Sequence, residues 1–158
     1  MRKTNEFVFF WGDKDIYSNF YYAPFKHQDI LFQTSEHAIM YRKAKLFGEH
    51  EVASRVLQAK TPKRAKELGR SIKAFDNETW EANREIIFKE VLLDKFKNSN
   101  LRHQIVQTGE RQLVEASPFD KIWGIGLAQD HKDAETPSKW RGLNLLGKVL
   151  MEVRGELK

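Results

Sequence analysis

Gln33-Thr34-Ser35-Glu36-His37-Ala38-Ile39-Met40-Tyr41-Arg42-Lys43-Ala44-Lys45-Leu46-Phe47 decides the reading of this chain, because it has the pattern of a helix launched straight out of an apolar strand. Thr34 or Ser35 can cap the first turn by accepting a hydrogen bond from an orphan backbone N–H, and Gly48 stands where a left-handed C-cap would sit. At helical spacing Glu36, Met40, Lys43 and Phe47 share one stripe, so an acid and an amine lie among bulky apolar side chains. Two readings of Glu36 stand at this point. It caps the helix or favours the positive end of its dipole, or it is an acid whose pKa rises with burial and which moves a proton in a pocket that Lys43 also reaches.

Upstream, Phe7-Val8-Phe9-Phe10-Trp11 is a dense apolar run closed by Gly12-Asp13, the pattern of a buried strand. The stretch from Tyr17 to Tyr22 mixes aromatics with Ser18 and Asn19. It reads as a loop whose rings plug the core, or as a platform where a planar base stacks while Ser18 and Asn19 supply hydrogen bonds. Residues 25–32 resemble a small hairpin that delivers the chain to Thr34.

Downstream, residues 50–59 read as a short amphipathic helix, and Thr61-Pro62 restarts the helix with a hydroxyl cap and a proline at the first position. Gly69 is expected to end it. Lys60, Lys63, Arg64, Lys66 and Arg70 make this unit basic: a solvated charged face, or an anion site that uses the helix start and its flanking cations. Residues 77–96 form the longest periodic stretch, a core helix carrying Trp80, Ile87, Phe88, Val91, Leu92 and Phe96. A short helix over 101–107 follows, and then Gln112–Ala116, a brief strand or buried connection. In Trp123-Gly124-Ile125-Gly126 the tryptophan offers a stacking face and the glycines allow close approach. Residues 128–139 read as a polar, mobile loop, and 143–157 as a C-terminal core helix with Asn144 in its first turn.

The composition narrows the function classes. With 158 residues the chain fits one domain, 1–158, large enough to bury a core without staples. Its lack of cysteine excludes thiolate nucleophiles and Cys-based zinc sites and suits a reducing cytoplasm. A formal charge of +5 favours anionic partners. There is no apolar leader and no uncharged run of transmembrane length, so a soluble, intracellular protein without membrane partners is expected. The five histidines form no His-Glu-x-x-His pair, and no metal is expected. The absence of a Gly-x-Ser-x-Gly elbow and a Walker loop argues against the commonest hydrolase and nucleotide triphosphatase templates.

Several pieces, in order, resemble one family. Ser18-Asn19-Phe20, Thr34-Ser35-Glu36-His37, Lys43-Ala44, Thr61-Pro62 followed by Ala65-Lys66 and Leu68-Gly69-Arg70, Trp80, Lys95-Phe96, Thr108-Gly109, Leu113-Val114-Glu115, Asp120 with Trp123-Gly124, and Gly142-x-Asn144-x-x-Gly147-x-x-Leu150-Met151 are similar to the YbiA/NADAR N-glycosidases over nearly the whole chain. The resemblance implies a compact α+β fold, mainly α, with a few short strands near the N-terminus. It also implies cleavage of an N-glycosidic bond by water, with no cofactor. Family members act on ribosylamino-pyrimidine phosphates of riboflavin biosynthesis or remove ADP-ribose from modified guanine. The riboflavin-intermediate enzymes often carry an aspartate directly after Trp-Gly, whereas Ile125 stands there here, a segment more like the ADP-ribosyl-guanine branch.

The roles carried over follow the chemistry of the bond. Glu36 suits proton transfer or stabilisation of an oxocarbenium-like centre, and Lys43 suits a phosphate, a water, or a Schiff base at the opened sugar's C1. Asp120 is a second acid candidate, with turn capping as its plainer role. Phe20 and Trp123 would stack on a base, with Gly124 allowing close approach beside them; Ser18, Asn19 and Asn144 would bond sugar or base edges, and Arg64 and Arg70 would meet phosphate. The substrates expected are ADP-ribosylated guanine, in DNA or as a nucleoside, or a small phosphorylated riboside; a catalytically idle reader of ADP-ribose is the reading from another class.

Overall fold

The structure, a computed structural model, describes all 158 residues. The chain folds into two compact units, one of Met1–Ser18 with Ser99–Lys158 and one of Asn19–Asn98. Over the chain as a whole helices dominate, with a few short strands, as the sequence leads one to expect. No helix is long and apolar enough to cross a membrane.

The discontinuous unit is built on a three-stranded sheet. Strand β1 (Arg2–Lys3) pairs antiparallel with β2 (Phe7–Phe10), and β2 pairs parallel with a strand over Gln112–Glu115, Phe7 standing opposite Gln112 and Phe10 opposite Glu115. All four residues of β2 are buried, which is why it reads as a continuous apolar run rather than an alternating one. Phe7, Phe9, Val114, Ala116, Ile125, Leu127 and Ala134 form one apolar cluster, with Trp140 against it. Ala134 is wholly buried and Trp140 Nε1 donates to its carbonyl at 2.8 Å, so residues 128–139, expected as a mobile loop, are anchored at their middle. Pro137–Lys139 form a single 3₁₀ turn.

The 19–98 unit begins with the hairpin β3 (Phe25–His27) and β4 (Ile30–Phe32), whose turn residues Gln28 and Asp29 both take positive φ, the conformation a tight two-residue hairpin requires. Helix α1 (Ser35–Leu46) follows, then α2 (His50–Gln58), α3 (Pro62–Arg70) and α4 (Asn77–Lys95). Helix α1 packs on α2, α3 and α4. Thr34 caps α1, accepting from His37 N, and Thr61 caps α3, accepting from Arg64 N with Pro62 at the first position.

Gly69 does not end α3, which runs on to Arg70 with Ser71 as its C-cap. The glycine lies inside the helix because a β-carbon there would overlap the thioether of Met40 on α1. Its missing side chain lets α1 and α3 approach closely.

The remaining elements, all in the first unit, are α5 (Ser99–Val106), β5 (the 112–115 strand) and α6 (Leu145–Leu157). Asn144 stands just before α6 in the left-handed region at φ 53°, rather than within its first turn.

Candidate active site

In the 19–98 unit the first turn of α1 is fixed from two sides. Asn19 accepts from Glu36 N at 3.0 Å through its carbonyl and from the Ser35 hydroxyl at 2.8 Å through Oδ1. His37 Nε2 donates to Ala59 O at 3.0 Å, which leaves Nδ1 to accept from the Thr34 hydroxyl at 2.7 Å. The imidazole is therefore neutral, and burial holds its pKa below the usual 6.5 although the bond to Ala59 opposes the shift. Glu36 is buried, 7% exposed, at the start of a helix whose backbone cannot easily shift.

Met40 and Lys43 follow Glu36 on the stripe, and both face α3. The Lys43 amine donates to Gly69 O at 3.1 Å and lies 4.9 Å from the Phe75 ring centre and 5.2 Å from that of Trp80. Burial lowers its pKa from the ordinary 10.5, Glu36 opposes that shift, and the Arg70 guanidinium reinforces it. An amine so placed is a better nucleophile near neutral pH than a solvated lysine, because a larger fraction of it is unprotonated. The ring faces hold it in place and the Gly69 carbonyl aims it.

Two further side chains of α3 belong to this face. Lys66 Nζ stands 5.7 Å from the Phe20 ring centre, and Arg70 is close enough to influence Lys43. Lys66 belongs to the basic group read as a charged face or an anion site, and helical spacing sets it with Arg70: the two are four apart and share a face. Arg64, expected beside Arg70, lies roughly opposite Lys66 around the helix, at about 100° per residue. It pairs with Glu67 at 3.2 Å and lines a different cavity with Arg55 and Lys60.

The other expected residues lie in the first unit. Ser18 is buried there, its N–H bonded to Asp15 O at 2.9 Å. Asp120 Oδ1 accepts from Ile122 N at 2.9 Å and Trp123 N at 2.8 Å, a turn cap that presents the half-buried Trp123. At Gly124 a β-carbon would lie 2.9 Å from two backbone carbonyls, those of Asp120 and Glu115, so packing alone demands glycine. Asn144 spends its amide on β5, Oδ1 accepting from Glu115 N and Nδ2 donating to Leu113 O, both at 3.0 Å. Its side chain ties α6 to the strand instead of presenting an amide to a ligand. Ile125 is fully buried in the apolar cluster.

The sequence and the fold match a known group of proteins. The NADAR domain matches residues 9–158, crossing both units, and the chain belongs to that family. It is 34% identical to the N-glycosidase R617 of Acanthamoeba polyphaga mimivirus, over 98% of each chain. It is 30% identical to the riboflavin biosynthesis protein VVA0006 of Vibrio vulnificus, a match covering 89% of this chain and 35% of that protein. The solution NMR structure of the Escherichia coli protein YbiA superposes with a TM-score of 0.79 at 26% identity, covering 99% of this chain and 87% of that one. The enzyme class expected from the sequence holds: this is an N-glycosidase of the NADAR family.

Proposed function

We propose that the protein removes ADP-ribose from ADP-ribosylated guanine, with Glu36 and Lys43 as its reacting groups and 1–158 as one functional domain, since the family match crosses both units. The observation that carries this reading is the placement of Lys43: a half-buried amine of lowered pKa, bonded to Gly69 O, on the same helical stripe as a buried carboxyl. When the sugar ring opens, the C1–O bond breaks, the proton of the base-side N–H passes to the ring oxygen, and C1 is left as an imine to that nitrogen. The neutral Lys43 amine adds to C1. The bond from C1 to the base breaks as the departing nitrogen takes a proton from Glu36, which leaves a Lys43–C1 Schiff base. Water hydrolyses that bond, releasing the sugar as its aldehyde, restoring the neutral amine and returning to Glu36 the proton it gave. The sum is one water consumed and one C–N bond replaced by C–O and N–H.

The substrate assignment is supported by Lys66 and Arg70, two cations on the α3 face turned toward the stripe, which suit the two phosphates of ADP-ribose. The buried Ile125 after Trp123-Gly124 is in keeping with it. Phe20, beneath Lys66, offers a ring for adenine or guanine. A second reading, hydrolysis of phosphorylated ribosylamino-pyrimidines, is favoured by the similarity to a relative named for riboflavin biosynthesis.

Incubation of the protein with an ADP-ribosylated guanine oligonucleotide and, separately, with the ribosylamino-pyrimidine phosphate tests the reading. Release of ADP-ribose with restored guanine supports it; turnover of the pyrimidine alone supports the second reading. Tight ADP-ribose binding without turnover of either, unchanged in Glu36→Gln, identifies a binding module.

A further inference from the structure

We propose that the cavity between the C-terminus of α2 and the start of α3 is a phosphate subsite that takes a backbone phosphodiester of a nucleic-acid strand carrying the modified guanine. This rests on the proposed substrate, and it adds that the substrate is a polymer.

The cavity is an open cleft of about 320 Å³ lined by Arg55, Gln58, Ala59, Lys60, Thr61, Arg64 and Leu68. Three of these residues are cations and none is an acid. The floor is apolar and fixed, since Ala59 and Leu68 are buried and the Ala59 carbonyl is held by His37. Gln58 and Thr61 add neutral hydrogen-bonding groups to the wall. The side chains make the site, not the helix start, because Thr61 already satisfies Arg64 N and Pro62 has no N–H to offer. Glu67 pairs with Arg64 from outside the lining and offsets part of one charge, leaving Arg55 and Lys60 to dominate.

The position of the cavity argues for a strand rather than a small nucleotide. Lys66 and Arg70 serve the α1 face of α3, while Arg64 and its neighbours serve the far face, and a helix with its side chains is about 10 Å across. A diphosphate held by the first pair leaves the far cavity unfilled. A strand whose modified base enters beside α1 has further phosphates along its backbone to cross that width, at about 3.4 Å of rise per nucleotide in duplex form.

The test uses the double variant Arg55→Gln/Lys60→Gln, two exposed positions outside the proposed catalytic set. Turnover is measured on ADP-ribosyl-guanosine and on a single-stranded oligonucleotide carrying the same modification, and binding of the unmodified oligonucleotide and of inorganic pyrophosphate is followed directly. The proposal expects kcat/KM on the oligonucleotide to fall about tenfold while the nucleoside stays within about twofold, and the salt slope of oligonucleotide binding to shrink by about 1 per lost cation. Unchanged turnover on the oligonucleotide, or an equal fall on both substrates, overturns it. Loss of pyrophosphate binding with oligonucleotide binding intact also overturns it, by assigning the cavity to free phosphate. If the wild-type protein cleaves neither substrate, the proposed function fails, and the binding arm alone decides the cavity: oligonucleotide affinity lost in the double variant upholds the subsite, and affinity retained rejects it.

Discussion

The α1 and α3 face of the 19–98 unit and the 113–147 region of the other unit are both rich in residues that a sequence reader marks as functional, and they use them in opposite ways. In the second region polar atoms are consumed by backbone: Asp120 caps a turn through Ile122 N and Trp123 N, and Asn144 closes on both Glu115 N and Leu113 O. On α1, neighbouring groups do the holding. Asn19, Thr34, Ser35 and His37 fix the helix start, and Gly69 O and two aromatic rings hold the Lys43 amine. A polar residue that satisfies its own backbone builds the fold; one that is held in place by others is available for chemistry.

Lys43→Met provides the strongest way to break that contrast. If the amine is the nucleophile, single-turnover release of ADP-ribose falls by about 10⁴-fold or more, the scale of losing a covalent nucleophile, with the thermal midpoint little changed. Glu36→Gln comes next, lowering turnover by about 10²–10⁴-fold with the fold intact, as for a positioned acid–base group. Near-normal turnover in that variant reassigns Glu36 to helix capping. Asn144→Ala sharpens the comparison from the other side. It strands two backbone groups on β5 and costs about 2–3 kcal/mol in denaturant unfolding, while KM for substrate is expected to hold. A raised KM at unchanged stability would return Asn144 to the binding site.

The smallest effect concerns a lysine outside the proposed site. Lys95, at the end of α4, is 1% exposed, and burial pushes its amine down to about 7. Its folded pKa lies below the ordinary 10.5, so the unfolded chain binds more protons between these values. Its contribution to stability is full above 10.5 and is lost as the pH falls toward 7. The thermal midpoint should therefore rise between pH 7 and 10 in the wild type and rise less in Lys95→Met. Above pH 10 the Tyr17 phenol, raised by burial to about 12, acts in the opposite sense.

What the chain discloses before folding follows from the range of the forces involved. Helix starts are local, so Thr34, and Thr61 with Pro62, mark their helices within a residue, and the Glu36–Met40–Lys43 stripe follows from helical spacing alone. Pairing between β2 and β5 joins residues about a hundred positions apart and has no local signature, so Gln112–Glu115 reads equally as strand or connection. Gly69 misleads because a glycine that stops a helix and one that makes room for Met40 look alike in one dimension. Lys60, Lys63, Arg64, Lys66 and Arg70 group by composition, while the helix turns Arg64 to one face and Lys66 to another. Asn144 reads as a ligand residue until the strand it serves is in place.

Reduction with borohydride during turnover, followed by mapping of the modified peptide, tests the central role of Lys43 most directly. The account predicts a sugar-derived mass increase on the peptide containing Lys43, dependent on substrate and absent from Lys43→Met. Full turnover with no adduct on that peptide, or an adduct on another lysine, would contradict it.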